Sequence, residues 1–272
     1  MPAVCRPPAS PSSSAALHRR PPLPRPVFGL PRSLFFIPSP LRKTRIRCSS
    51  QRQALFNRIA PIYDDLNDLL SLGLHRSWKR MCISWSGAKK GDRALDLCCG
   101  SGDLTFLLSQ KVCGLDFSRE QLSIASVRQD LYWKASYQNI QWIEGDALDL
   151  PFSDCYFDAI TMGYGLRNLV DRQKALREIF RVLKPGSKVS ILDFNKSTSS
   201  LINTAQEWML DNVVVPVAST YGLSQEYKYL KGSIAEFLTG KELEKLVDEI
   251  GFSKARHYEI GGGFMGNLVA TK

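Results

Sequence analysis

From residue 51 onward the hydrophobic positions follow two periods. Between residues 51 and 88 they recur at three- and four-residue steps: Ala54, Leu55, Ile59; Leu66, Leu69, Leu70; Trp78, Met81, Cys82, Trp85. Pro61, Gly73 and Gly87 punctuate that stretch, so it predicts two or three short helices. From Arg93 the pattern switches to short apolar runs separated by helical segments. Strands are predicted at Arg93–Leu97, Val112–Asp116, Ile140–Glu144, Phe157–Met162 and Lys188–Phe194. Helices are predicted at Asp103–Gln110, Ser118–Gln129 and Gln173–Leu183. Ser118, with Gln121 three residues on, reads as a helix N-cap, and Lys184-Pro185-Gly186 as a stop. Helices near Thr204–Asp211 and Lys241–Ile250 and strands near Ala255–Ile260 and Asn267–Thr271 close the chain. Strand–helix alternation over this length predicts an α/β fold with a parallel sheet covered on both faces.

The first 48 residues break every such pattern. They hold 11 of the 15 prolines, nine basic side chains and no acid. Such a segment cannot build helix or core, and its composition is that of an organelle transit peptide. The proline density disfavours the amphipathic helix of a mitochondrial leader and favours the plastid, with cleavage near Cys48-Ser49. The formal charge of +10 belongs to this leader, because the remaining 224 residues carry 27 basic and 26 acidic groups. A near-neutral body excludes a strong nucleic-acid binder. No run of ~18 apolar residues predicts a membrane span. The expected organisation is 1–48 transit peptide, 49–90 helical cap and 91–272 catalytic domain. Cys82, Cys98, Cys99, Cys113 and Cys155 lack metal-ligand spacing and read as reduced core residues.

The chemistry concentrates at strand ends. Asp96-Leu97-Cys98-Cys99-Gly100-Ser101-Gly102-Asp103 runs a strand into a Gly-x-Gly turn and a helix. Ligands of open α/β sheets bind at such carboxyl ends. A dinucleotide fingerprint needs a third glycine, and this chain has Thr105 there. Carboxylates at 96 and 103 repel a pyrophosphate and attract a sulfonium, which favours S-adenosylmethionine over a nicotinamide cofactor. Asp116, ending the second strand, suits the ribose hydroxyls. Asp146, with Ala147 beside it, follows the third strand and suits an adenine amino group.

Several blocks then resemble the quinone-biosynthesis C-methyltransferases of the UbiE/MenG type. They are Phe56-Asn57-Arg58-Ile59-Ala60-Pro61-Ile62-Tyr63-Asp64, Gly73 to Lys79, Gly145-Asp146-Ala147 with Leu150-Pro151-Phe152, and Gly163-Tyr164-Gly165-Leu166-Arg167-Asn168. Tyr227-Lys228-Tyr229-Leu230 resembles a late signature, and the likeness spans residues 52–270. It implies a Rossmann-like class I fold with one antiparallel strand and an N-terminal helical cap. It implies S-adenosylmethionine contacts at Asp96, Gly100, Ser101, Gly102, Asp116, Asp146, Ala147 and Gly163, and no metal. It implies that Arg167 and Asn168 face a quinol ring and that Tyr63 closes over it. The leader points to a phytyl-bearing naphthoquinol, with transient membrane contact through its tail and an open oligomeric state.

The reactive ring must be the reduced quinol, and Arg167 is a two-point donor suited to its oxyanion. An ion pair of Arg167 with an acid such as Asp171 is the structural alternative. His75 is a weaker candidate base, more suited to a role in the cap. Phe237 and the tyrosines at 227 and 229 read equally as tail channel or core. Three other readings stay open: mitochondrial methylation of a polyprenyl benzoquinol, an NAD-dependent reductase, and an inactive partner subunit. The last rests on a departure from the family, a near-absent connection between Gln110 and Val112 that could displace Asp116.

Overall fold

The computed structural model describes residues 71, 73–108, 111–132, 134–220 and 222–272, without the side chains of 218 and 224–227. Helix α1 (Leu74–Ser86) opens them. Then come β1 (Arg93–Leu97), α2 (Asp103–Leu108), β2 (Lys111–Asp116), α3 (Arg119–Leu131), β3 (Gln141–Glu144), β4 (Phe157–Gly163), α4 (Arg172–Val182) and β5 (Leu183–Phe194). Helix α5 (Ser200–Met209) continues through a π-helical turn, Leu210–Val214, into α6 (Val215–Thr220). Helices α7 (Ser224–Ala235) and α8 (Gly240–Ile250) precede β6 (Ser253–Ile260) and β7 (Met265–Thr271).

The strands form one sheet in the order β3-β2-β1-β4-β5-β7-β6. Strand β7 runs antiparallel to both neighbours and all other pairs are parallel. The expected parallel sheet with one reversed strand is therefore present. The order turns back beside β1, and there the carboxyl ends of β1, β2 and β4 open a crevice. Leu95, Leu97, Phe157, Ile160 and Met162 are fully buried in the central strands. Each such side chain contributes about 1.5–3 kcal/mol by leaving water.

Local sequence explains most ends. Gly73 (φ 77°) and Gly87 (φ 71°) bracket α1 in the left-handed region, which glycine adopts without strain. The Ser118 hydroxyl accepts the Gln121 N–H at 3.2 Å, capping α3 as predicted. Thr239 and Glu242 make a reciprocal capping box on α8. The described part of α2 ends at Leu108 and β2 starts at Lys111; Ser109 and Gln110, where the short connection lies, are outside the described residues. The β1–β2 register is unbroken from Arg93↔Lys111 to Leu97↔Leu115, and Asp116 keeps its strand-end place. Helix α7 was not predicted as a helix. The buried stripe of α1 is also rotated: His75, Lys79, Cys82 and Ser86 are buried, whereas Trp78, Met81 and Trp85 are half-buried.

Residues 1–48 and most of the proposed cap, including Tyr63, lie outside the described residues. Among the described residues no helix is long and apolar enough to cross a membrane. Cys82, Cys98, Cys99 and Cys113 are free thiols, as expected.

Candidate active site

A cleft of about 840 Å³, open solvent included, lies over the ends of β1, β2 and β4. A smaller hollow adjoins it, and both are lined by Cys98, Asp116, Phe117 and Leu169.

The floor is the turn after β1. Cys98 (φ 57°), Gly100 (φ 54°) and Gly102 (φ 93°) all adopt left-handed backbone there. Cys98 does so at a steric cost that glycine avoids. Gly100 and Ser101 line the cleft; Gly102 does not. A Cβ on Gly102 would stand 2.6 Å from Trp142 Cη2, so this glycine serves packing.

Asp96 ends β1 and is fully buried against the cleft. Its carboxylate accepts from the Thr105 hydroxyl at 2.6 Å and the Thr161 hydroxyl at 3.1 Å. Burial outweighs these donors and raises its pKa to about 7. Thr105, which broke the dinucleotide pattern, is thus the residue that holds Asp96. Asp116 accepts from the Gly100 N–H and the Ser118 N–H, both at 2.9 Å. Burial raises its pKa as well. It ties the glycine turn to the second strand. Gly163 lines the cleft opposite. Asp146 and Ala147 line the smaller hollow, and Asp146 also braces its own turn by accepting the Leu148 N–H at 2.9 Å. The Arg181 guanidinium donates to the Phe152 and Leu150 carbonyls at 2.6 and 2.9 Å, holding the loop that follows.

Asn168 lines the cleft and Arg167 does not. Arg167 is buried, with Nη1 2.6 Å from Asp193 and 2.8 Å from the Tyr164 carbonyl. Its ion-pair partner is Asp193; Asp171 caps α4 by accepting the Lys174 N–H. Asn168 donates to the same Tyr164 carbonyl at 2.9 Å and accepts from the Tyr229 hydroxyl at 3.1 Å. Helix α7 therefore reaches the site. Phe237 is core. His75 is buried beside the Ser71 hydroxyl, 3.0 Å away, and His257 lies on β6, so neither is in the cleft.

Two polar cleft residues, Gln121 and Lys79, carry no site role in the sequence reading. Gln121 is buried on α3, and its Oε1 has no hydrogen-bond partner. Lys79 reaches in from α1 and pairs with Asp103 at 2.5 Å. Asp103 also meets Arg128 at 2.7 Å, so its charge is spent on two cations rather than offered to a ligand. These cations hold the Asp103 pKa below the usual carboxylate range, against its burial.

The site fits S-adenosylmethionine. Two acids face a cationic ligand, an orphaned buried amide oxygen awaits a donor, and glycine backbone lets a ligand approach. Such a site repels the pyrophosphate of a dinucleotide. The ubiE/COQ5 methyltransferase family model matches residues 45–272. The chain belongs to the ubiE/COQ5 methyltransferase family. It is an S-adenosylmethionine-dependent methyltransferase. It is 66% identical over 237 residues to the chloroplastic 2-phytyl-1,4-beta-naphthoquinone methyltransferase of Arabidopsis thaliana, covering 85% of this chain and 91% of that one. It is 51% identical over 228 residues to the 2-phytyl-1,4-naphtoquinone methyltransferase of a Synechocystis strain, covering 81% and 94%. Among solved structures, a SAM-dependent methyltransferase of Thermotoga maritima shares the fold at TM-score 0.57 and 18% identity, covering 81% and 99%.

Proposed function

We propose that this methyltransferase methylates a ring carbon of a 2-phytyl-1,4-naphthoquinol in the plastid, the last methylation in making phylloquinone. The observation that carries this reading is the cleft itself. It joins a cation-accepting half, around Asp96 and Asp116, to a half walled by Tyr164 and Asn168, the latter braced by the Tyr229 hydroxyl from helix α7. The names of the Arabidopsis and cyanobacterial relatives supply the phytyl naphthoquinone. The acid-free leader and the chloroplastic relative support the plastid. We keep 1–48 as transit peptide and 49–90 as cap. The mitochondrial, reductase and inactive-partner readings are not favoured, and Asp116 in its expected place removes the ground for the last.

S-adenosylmethionine, when bound, supplies an electrophilic methyl group. The residues that would hold it are Asp116 and Gln121 at the sugar, Asp146-Ala147 at the base, and Asp96, Ser101 and Gly163 near the sulfonium end. On the acceptor side a carbon–carbon bond would form as the S–CH3 bond breaks and the donor leaves as a neutral thioether, and the ring C–H proton would then pass to solvent to restore the aromatic ring. Asn168, fixed at both ends of its amide, orients the ring. Arg167 is a positioning residue here: it fixes the Tyr164 carbonyl that Asn168 also uses. Tyr63 is retained as the residue that closes the site.

The test is label transfer from methyl-labelled S-adenosylmethionine by residues 49–272 in detergent. Reduced demethylphylloquinol, its oxidised quinone and a demethylated ubiquinol precursor are offered separately. Label in phylloquinol alone is expected. Label in the ubiquinol precursor, or equal label in the oxidised quinone, overturns the reading.

A further inference from the structure

Tyr164 stands between Gly163 and Gly165 at the end of β4, yet the left-handed backbone falls on the tyrosine, at φ 58°, and on neither glycine. A glycine at 164 would avoid that steric cost. The two glycines answer a different need. A Cβ on Gly163 would stand 2.7 Å from Leu104, and one on Gly165 2.7 Å from Cys98. The strained conformation is held from both sides. The Tyr164 N–H donates to the Leu192 carbonyl at 2.7 Å, and the Tyr164 carbonyl accepts from Arg167 and from Asn168. Arg167 is itself locked by Asp193. A buried ion pair and a buried amide therefore fix one peptide carbonyl, and strain over-determined in this way clusters at ligand sites.

The effect is to redirect one side chain. Successive residues of a strand face opposite sides of the sheet. Met162 is buried in the main core and Gly163 faces Leu104. Extended backbone would return residue 164 to the Met162 side. The left-handed turn instead sets its ring on the Leu104 side, against the cluster of Cys82, Leu104, Leu192 and Met265. The ring centroid is 5.8 Å from that of Phe194 and 6.0 Å from the Lys79 ammonium. There Tyr164 is half-buried and lines the cleft beside Asn168. Its N–H and carbonyl are already engaged, so the group it offers the cleft is the aromatic ring. We infer that this ring is the surface on which the acceptor's aromatic ring packs, with the Asn168 amide at the acceptor's edge. Aromatic pairs gain from offset or edge contact beyond their burial. The assignment rests on the quinol reading, and it makes Tyr164 a determinant for the ring of the acceptor rather than its tail.

The test is label transfer by the full chain from methyl-labelled S-adenosylmethionine to 2-prenyl-1,4-naphthoquinol, whose short tail leaves the ring to dominate binding. Donor Kd is measured beside it by calorimetry. Tyr164→Leu, which keeps apolar bulk and loses the aromatic face, should raise the acceptor KM about 10-fold or more. Tyr164→Gly should raise it at least as far, and Tyr164→Phe should hold it within about threefold. Donor Kd should stay within about twofold throughout. In thermal melting Tyr164→Gly should lie about 2–4 °C above Tyr164→Ala, because glycine alone sheds the strain. If Tyr164→Leu does not fold, the strain-free Tyr164→Gly decides. An unchanged acceptor KM in the deciding variant overturns the assignment. So does a donor Kd that rises in step with KM, since Tyr164 would then only support the fold. A Tyr164→Phe variant as impaired as Tyr164→Leu, or an alanine variant melting as high as the glycine one, overturns it too. No label in the naphthoquinol from wild-type protein that binds the donor overturns the quinol reading, and the assignment with it.

Discussion

Arg167 and Asp193 are 5% and 4% exposed and 2.6 Å apart. At an effective dielectric near 20 their attraction is about 6 kcal/mol. Desolvating two ions costs several kcal/mol each, so the intact pair is worth little over an apolar substitute. Breaking it is different. Asp193 also accepts the Arg167 N–H at 3.1 Å and the Phe194 N–H at 2.8 Å. Arg167→Met leaves it those two partners and should cost about 3 kcal/mol. Asp193→Leu removes the carboxylate paired with the buried Arg167 guanidinium and the acceptor of the Arg167 N–H, and should cost about 4–5 kcal/mol. The double variant should return to within about 1.5 kcal/mol of wild type, a coupling of at least ~5.5 kcal/mol. Urea unfolding followed by circular dichroism measures all four proteins. Donor affinity by calorimetry should be unchanged in the folded double variant, since neither side chain lines the cleft. A double variant no more stable than the worse single one would refute the reasoning. So would additive losses.

Four further outcomes are expected. The Asp96 pKa is about 7 in the folded protein, against 3.8 for the ordinary group. Its contribution to stability is therefore full below about pH 4 and falls as pH rises through 7, because the folded state binds the extra proton. Asp96→Asn should flatten that part of a pH–stability profile. A cationic donor favours the ionised form, so binding at pH 6 should release up to about one proton, read by calorimetry in buffers of different ionisation enthalpy, and Asp96→Asn should release less. Tyr229→Phe removes the hydroxyl on Asn168 and should lower kcat about 2- to 10-fold with donor Kd unchanged, measured by label transfer. Gly102→Ala meets Trp142 and a left-handed φ together and should lower stability by about 2 kcal/mol or more in urea unfolding.

Much of the fold is legible because the central strands are apolar runs ending at or beside a glycine or an acid. Strand Arg93–Leu97 needs no tertiary information, and Gly73, Gly87 and Ser118 mark helix ends by backbone chemistry alone. Helix α7 was hidden for a physical reason. Its tyrosines, lysines and Gly232 blur the periodicity, although Leu230, Ser233, Ile234 and Phe237 do recur at three- and four-residue steps. What stabilises it is the small cluster of Leu210, Val214, Leu223 and Ile234, which exists only after the chain has folded back. The π-helical turn between α5 and α6 leaves no signal that period counting detects.

The donor half of the site was legible for the same reason as the strands: the acids and glycines stand at strand ends, where topology brings them together. Asp96, Gly100, Ser101, Asp116 and Gly163 all reach one cleft. What the sequence hid is pairing. An apolar stripe on α1 predicts that Trp78, Met81 and Trp85 face inward. The helix is turned with Lys79 inward, where Asp103 partners it, and hydrophobicity scales treat a partnered lysine as an exposed one. Likewise, Arg167 in a family-specific block suggests a group aimed at substrate, but the charge that answers it is 26 residues away on β5. Asp103 reads as an acid offered to the donor until Lys79 and Arg128 are seen to use it. Charge counted along the chain gives the sign of a site only after its internal pairs are removed. Here that subtraction removes Asp103, which Lys79 and Arg128 engage, and leaves Asp96 and Asp116 for a cationic donor.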